Sequence, residues 1–494
     1  MIKRFLAAVA ITVLAVTGVG ISAVAANPLS DYYHQDLVWK GCGTGFVCAD
    51  IRVPIDYAKP YAKNVPLSII MHKATSANPV GNLLVNPGGP GSSGFDFVQN
   101  SVDQIGSKAL RAQYNIVGFD PRGVQHSSPV NCFNARQMDT FLYGDSGYPL
   151  GSSKDLSYTR KLISSFSKAC KAKTGELLGH VDTISAAKDM DILRALLGDS
   201  KLNYLGYSYG TLLGATYASL FPSKVGRMVL DGAIDPTVPD EAQTVNQLKG
   251  FDQALTDYLT DCLKGADCPF SGTVAQARAK ISSFLLGLET RTIRNSDDSR
   301  PVNVWVANTG IAMALYSQDY WQYLTAAFNS AFKGDGTTLM RLADFYNDRQ
   351  PDGSYASNQT EANLAVSCLD SRASASMTAM KKQNARLVKA SSVFGRYWQF
   401  GALGCAYWPY PVVKPLKSYS AKGAPTIMVI GTTGDPATPY KQAQDLAHKV
   451  LAKGFLVTFK GEGHTAYGRS NSCVDDSVDN FLIEGSLPAK EPVC

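Results

Sequence analysis

Acyl transfer needs a nucleophile, a base and an acid that orients the base, and this chain carries a serine, an aspartate and a histidine suited to those roles. Gly206-Tyr207-Ser208-Tyr209-Gly210 follows a short apolar run and opens a helical pattern that Pro222 closes. That strand-turn-helix context holds a serine on a tight elbow with its Oγ exposed. A serine hydroxyl is a poor nucleophile at neutral pH, so a base must stand beside it. Of the six histidines, His464 lies in Gly461-Glu462-Gly463-His464, directly after a β-rich run at residues 455–459. Asp435, in Gly431-Thr432-Thr433-Gly434-Asp435-Pro436, follows the run at 426–431 in the same way. Loops at the carboxyl ends of two strands would deliver both side chains to the elbow. His34, His72, His126, His180 and His448 have no such context and are expected at the surface or in structural roles.

Attack by the serine puts negative charge on a carbonyl oxygen, which calls for preorganised backbone N–H donors. Asn86-Pro87-Gly88-Gly89-Pro90-Gly91 comes directly after an apolar run at 81–86. Gly89 is the expected first donor and Tyr209, the residue after the nucleophile, the second. A plain connecting turn is the alternative for this segment.

The elements that must carry these residues are legible in outline. Strand candidates lie at 65–71, 81–86, 115–120, 203–206 and 227–231, with a helical pattern at 185–197 ending on Gly198. Alternation of this kind indicates an α/β class with a mostly parallel sheet flanked by helices. After Asp235 the texture becomes helical and rich in Ala, Leu and aromatic residues up to about Lys422. Strand, helix and strand then return at 426–431, 440–452 and 455–459. One sheet interrupted by an inserted helical domain is expected: residues 27–235 and 423–494 as core, 236–422 as cap.

Composition narrows the function classes. The 494 residues are 45% apolar and 18% charged, with 47 basic against 41 acidic side chains spread along the chain. No partner among nucleic acids is expected, because that would need the cations gathered into a stripe. Residues 1–26 read as a secretory leader: Lys3 and Arg4, a small-apolar run, and a cleavage site near Ala25 or Ala26. Export, extracellular or periplasmic, is expected, without stable membrane association. Ten cysteines, an even number, suit an oxidising compartment. Short loop closure favours Cys42/Cys48, Cys132/Cys170, Cys262/Cys268, Cys368/Cys405 and Cys473/Cys494, though many pairings are formally open. Without a C-x-x-C or a tight Cys/His cluster, no metal site and no other cofactor is expected.

Taken together, Asn86-Pro87-Gly88-Gly89-Pro90-Gly91, Asp120-Pro121-Arg122-Gly123, Gly206-Tyr207-Ser208-Tyr209-Gly210-Thr211, Asp231-Gly232, Gly434-Asp435-Pro436-Ala437-Thr438-Pro439 and Gly463-His464 resemble the secreted bacterial tripeptidyl aminopeptidases. These are relatives of proline iminopeptidases within the α/β-hydrolases, whose triads run Ser, Asp, His along the chain. The motifs extend from about residue 80 to 470, and the cysteine-bearing tail is similar too. The resemblance implies an eight-stranded α/β-hydrolase core with a helical cap, a Ser208–His464–Asp435 triad, and a serine exopeptidase acting on peptides with free N-termini. Pro87 stands where proline iminopeptidases commonly have His, a departure that leaves backbone donation intact. A substrate ammonium needs an anionic partner, and Asp370, in Ser367-Cys368-Leu369-Asp370, is the candidate; a helix cap or surface charge is its alternative. Trp305, Trp321, Trp398 and Trp408 all fall in the insert, as substrate pocket or as cap core. A carboxylic-ester hydrolase of the same fold is the rival enzyme, and a catalytically silent secreted binding protein the rival from another class.

Overall fold

A computed structural model describes residues 29–370 and 374–494; the leader expected over residues 1–26 lies outside them. The nine strands are β1 (Lys40–Gly41), β2 (Phe46–Pro54), β3 (Asn64–His72), β4 (Gly81–Asn86), β5 (Tyr114–Phe119), β6 (Leu202–Tyr207), β7 (Val225–Asp231), β8 (Ile427–Gly434) and β9 (Gly454–Glu462). They form one sheet in the order β1-β2-β3-β5-β4-β6-β7-β8-β9. From β5 onward every neighbouring pair is parallel, whereas β1, β2, β3 and β5 pair antiparallel. The sheet therefore has one strand more than the resemblance implied. Strands β1 and β2 escaped the sequence reading because β2 sits toward the sheet edge and alternates buried with exposed positions, a weaker signal than an apolar run.

The central strands read as continuous apolar runs because helices cover both faces. Leu83, Val85, Tyr204, Leu205, Val229, Leu230, Met428, Val429 and Ile430 are all fully buried. The helices Thr183–Leu196 and Tyr209–Leu220 pack on one face, through Ile192, Leu193, Leu213 and Tyr217. Those at Gly94–Ser101 and Ser472–Glu484 cover the other, through Val98, Val474 and Val478. Register brings the carboxyl ends of the central strands into a row: Asn86 pairs with Gly206, Tyr207 with Asp231, and Asp231 with Ile430. Loops leaving that edge converge, and in parallel sheets this is where ligands bind.

Seven α-helices stand between β7 and β8 among the described residues. They bury a core of their own around Tyr258, Leu255, Ile281, Ile311, Leu324 and Phe328. The Gln359–Asp370 helix differs: its Ala365, Val366 and Leu369 pack into the sheet-side core. Where a single helix is expected at 440–452, a short helix at Lys441–Asp445 continues as a π turn through Leu446–Val450. Five disulfides join Cys42–Cys48, Cys132–Cys170, Cys262–Cys268, Cys368–Cys405 and Cys473–Cys494, the pairing that short loop closure favours.

Candidate active site

Ser208 occupies the junction between β6 and the Tyr209–Leu220 helix at φ 54° and ψ −124°. A non-glycine residue holds such a conformation only where its surroundings enforce it. They do so here by close approach. A Cβ on Gly206 would lie 2.5 Å from the Gly210 carbonyl oxygen, and one on Gly210 would lie 2.8 Å from that of Asn86. The Tyr204 phenol donates to the Gly210 carbonyl at 2.7 Å, and the Ser208 amide donates to the Asp231 carbonyl at 2.8 Å.

The loop after β4 lies directly against this elbow. Gly88 has φ +97°, and a Cβ there would meet the Tyr207 oxygen at 2.5 Å and the Ser208 Cβ and Tyr209 nitrogen at 3.0 Å. Its amide is already committed to Asn86 Oδ1 at 3.0 Å. The next amide, Gly89, and that of Tyr209, which opens the helix after Ser208, are the two donors expected from sequence.

Asp435 follows β8 and is only 3% exposed. The turn Pro436-Ala437-Thr438 folds over its carboxylate: Oδ1 accepts the Ala437 and Thr438 amides at 2.9 and 2.8 Å, and Oδ2 accepts the Thr438 hydroxyl at 2.9 Å. His464 Nδ1 lies 2.9 and 2.8 Å from the two carboxylate oxygens. That contact directs Nδ1–H to the acid and leaves Nε2 free to take a proton. Nε2 is buried and has no hydrogen-bond partner among the described residues, Ser208 included. In unliganded enzymes the bond from nucleophile to base is often long and tightens in the substrate complex. Tyr316, from the insert, accepts the His464 amide at 2.8 Å and sets its ring edge against the imidazole at 5.7 Å. Two residues before His464, burial pushes the Glu462 carboxyl up to about 7, with Asp257 adding to the rise.

Asp370 ends the Gln359–Asp370 helix and accepts the Thr183 amide at 3.3 Å and hydroxyl at 2.5 Å. The Thr183 hydroxyl is in turn 2.5 Å from the Tyr209 phenol oxygen. A cavity of about 450 Å3 runs along this side, lined by Pro90, Tyr209, Asp370, Asp235, Asp240 and Glu241 among others. Burial pushes Asp370 up to about 7, the Thr183 hydrogen bonds oppose the rise, and Asp182 and Asp240 reinforce it.

Other motif residues serve structure. Arg122 is fully buried, forks onto Asp189 at 2.7 and 2.5 Å, and donates to the Pro54, Ile55 and His180 carbonyls. His34, His126 and His448 bond Ser30, Asp96 and Glu491, while His72 packs on Phe46. None of the four tryptophans lines the cavity beside Tyr209. Trp305 packs on Tyr397, Trp398 on Phe251 and Trp321 on Tyr258, which places them in the core of the inserted helices, and Trp408 joins the sheet-side core. Residue-by-residue reading gave Thr438 and Tyr316 no role. Thr438 was within reach, since it lies in a quoted motif three residues after Asp435; Tyr316 carried no local signal because only tertiary packing brings it to His464.

Residues 391–494, which include Asp435 and His464, match the family model described as TAP-like protein. Over 479 residues the chain is 35% identical to the serine protease Hip1 of Mycobacterium tuberculosis, covering 93% of this chain and 91% of that one. It is 36% identical over 456 residues to carboxylesterase B of the same organism, at 90% and 86% coverage. Over 473 residues it is 31% identical to the tripeptidyl aminopeptidase of Streptomyces lividans, at 92% and 86% coverage. With this likeness along nine-tenths of its length, the chain belongs to the tripeptidyl aminopeptidase-like α/β-hydrolases and is a serine hydrolase.

Proposed function

We propose that the protein is a secreted serine exopeptidase that releases short peptides, tripeptides foremost, from free N-termini. The observation that carries the chemistry is the bidentate Asp435–His464 contact at 2.8 and 2.9 Å with a buried, unpartnered Nε2. Ser208 Oγ attacks the scissile carbonyl carbon while its proton passes to Nε2. The Gly89 and Tyr209 amides hold the oxyanion, and Asp435 stabilises the imidazolium. Collapse breaks the C–N bond, the leaving amine takes the proton from Nε2, and an ester to Ser208 remains. Water then attacks that ester, giving its proton to Nε2; collapse breaks the bond from carbon to Oγ, Oγ takes the proton back from Nε2, and the carboxyl product leaves.

Exopeptidase selectivity rests on the cavity beside Tyr209. An ammonium entering a partly desolvated cleft needs a carboxylate to meet it, and Asp370 stands at that wall with Asp240 and Glu241 nearby. The inserted helices, residues 236–422, act as the cap that closes the cleft over the sheet edge. Five disulfides suit an exported protein. A carboxylesterase activity is the second reading, favoured by the relative of that name and by a triad that splits esters equally well. Profiling a peptide library with free and acetylated N-termini, beside neutral esters, separates the two. Cleavage confined to free N-termini supports the exopeptidase, and equal cleavage of acetylated peptides rejects it. A fluorophosphonate should label Ser208, and Ser208→Ala should abolish both labelling and turnover.

A further inference from the structure

Asp231 is fully buried at the end of β7, and no step of the proposed reaction uses it. Its backbone carbonyl accepts the Ser208 amide at 2.8 Å. Its carboxylate accepts the Ala466 amide at 3.1 and 2.9 Å and the Tyr467 amide at 2.8 Å, two and three residues beyond His464. The following amide, Gly232, donates to Ile430 of β8 at 3.2 Å, and a Cβ there would stand 3.1 Å from His464 Cε1. One residue thus grips the elbow of the nucleophile with its main chain and the loop of the base with its side chain.

We infer that Asp231 is a positioning residue whose ionised carboxylate holds the His464 loop in register with Ser208. Both amides converge on Oδ2, and the Ala466 amide is shared with Oδ1, so a carboxylate, which accepts at either oxygen, suits every contact. An asparagine that kept both amides on its carbonyl oxygen would set its NH2 group 3.1 Å from the Ala466 nitrogen, N–H against N–H, and would carry no charge. The loop needs such an anchor because Thr465, a β-branched residue, is held at φ +68°. A second set of contacts comes from the Ser472–Glu484 helix: Asp475 accepts the Gly468 amide at 2.8 Å, and Asp479 accepts the Tyr467 phenol.

The groups acting on the carboxylate are Arg469 and His464 on the loop itself and Tyr207 on β6, while Asp475 and Asp479 of that helix act on Tyr207. Burial pushes Asp231 up to about 6, against the lowering effect of the Tyr467 and Ala466 amides, Arg469 and His464. Proton uptake on falling pH discharges the carboxylate and so weakens the charge-assisted hydrogen bonds from both amides. The anchor therefore weakens as pH drops through about 6 and is complete above it.

The inference rests on Ser208 and His464 as nucleophile and base, and the test separates the two claims. Asp231→Asn is compared with wild type for fluorophosphonate labelling and for hydrolysis of a neutral ester from pH 5 to 8. Labelling should still reach Ser208 but about 100-fold more slowly, with kcat reduced alongside, as displacing reacting groups by about 1 Å does. KM should stay within about two-fold, since substrate contacts are intact. The acid limb of kcat/KM should become shallower by one proton. Wild-type labelling rate, an unchanged limb, or a loss confined to KM overturns the inference. Labelling of wild type at a serine other than Ser208 overturns the triad itself. Should Asp231→Asn fail to fold, hydrogen exchange of the Ala466 and Tyr467 amides in wild type decides. Protection, corrected for intrinsic rates, should fall below pH 6, and constant protection from pH 8 to 5 overturns the inference.

Discussion

Asp370→Asn removes the charge at the cavity wall while keeping an oxygen that can accept from Thr183. Raising that carboxyl from 3.8 to about 7 corresponds to about 4 kcal/mol of penalty on its charged form. An ammonium about 4 Å away, at an effective dielectric constant near 20, returns about 4 kcal/mol. The ionised wall is thus costly alone and close to balanced with a free N-terminus in place. Allowing for relaxation and water entry, the variant should lose about 100-fold in kcat/KM on free-amine peptides and under about three-fold on a neutral ester. Acetylating the peptide should cost wild type a similar factor, and the two losses should not add, because they delete the same pair.

The unfolded carboxyl ionises near 3.8 and the folded one near 7, so rising pH erodes stability across that window and the full cost applies above 7. Asp370→Asn should accordingly melt a few degrees higher than wild type at pH 8 and equally at pH 3.5. For free-amine peptides kcat/KM should rise through about 7, as the carboxyl ionises, and fall near 8, as the substrate amine loses its proton. Steady-state kinetics on matched free and acetylated peptides and on an ester, with thermal melts at both pH values, give the answer. Equal loss on all substrates would make Asp370 structural, and efficient cleavage of acetylated peptides would remove the aminopeptidase reading while sparing the serine hydrolase.

Asp435→Asn should lower kcat by about 10⁴ with little change in KM, because the imidazole loses its orientation and counter-charge; a near-neutral result would move the acid role to another carboxylate. Gly88→Ala should drive a methyl to 2.5 Å from the Tyr207 oxygen, push the oxyanion loop off the elbow, and cost about 10² to 10³ in kcat. Unchanged turnover there would refute the proposed donors. Replacing Cys368 and Cys405 with serine opens a link of 37 residues, worth up to about 4 kcal/mol. Since Asp370 is two residues from Cys368, KM for free-amine peptides should rise before the sheet melts, as followed by circular dichroism on titration with urea. Loss of sheet and of peptide affinity at the same urea concentration would count against a disulfide that holds the Asp370 end of its helix independently of the sheet-side core.

The sequence by itself singled out the candidate residues for the chemistry and the strands that lead to them. Ser208, Asp435 and His464 each follow an apolar run that parallel, doubly covered strands must have, so local pattern and motif coincide. Gly206, Gly88 and Gly210 are readable for a similar reason: close approach of backbones leaves no space for a Cβ, and only glycine answers that demand. Cysteine spacing carried the disulfide scheme because short loops close with the least entropy. What only the tertiary structure decided are the contacts between segments far apart in the chain. Strand β2 alternates at a sheet edge and leaves no continuous run. Tyr316 meets His464 from across the insert, Thr183 holds Asp370 over a separation of 187 residues, and Asp231 grips amides 235 and 236 positions away. Most of the tryptophans were expected in a core from the sequence, and packing decided which core each one joins. Periodicity and motif report on neighbours along the chain, whereas strand order and register determine which loops meet at the edge of the sheet.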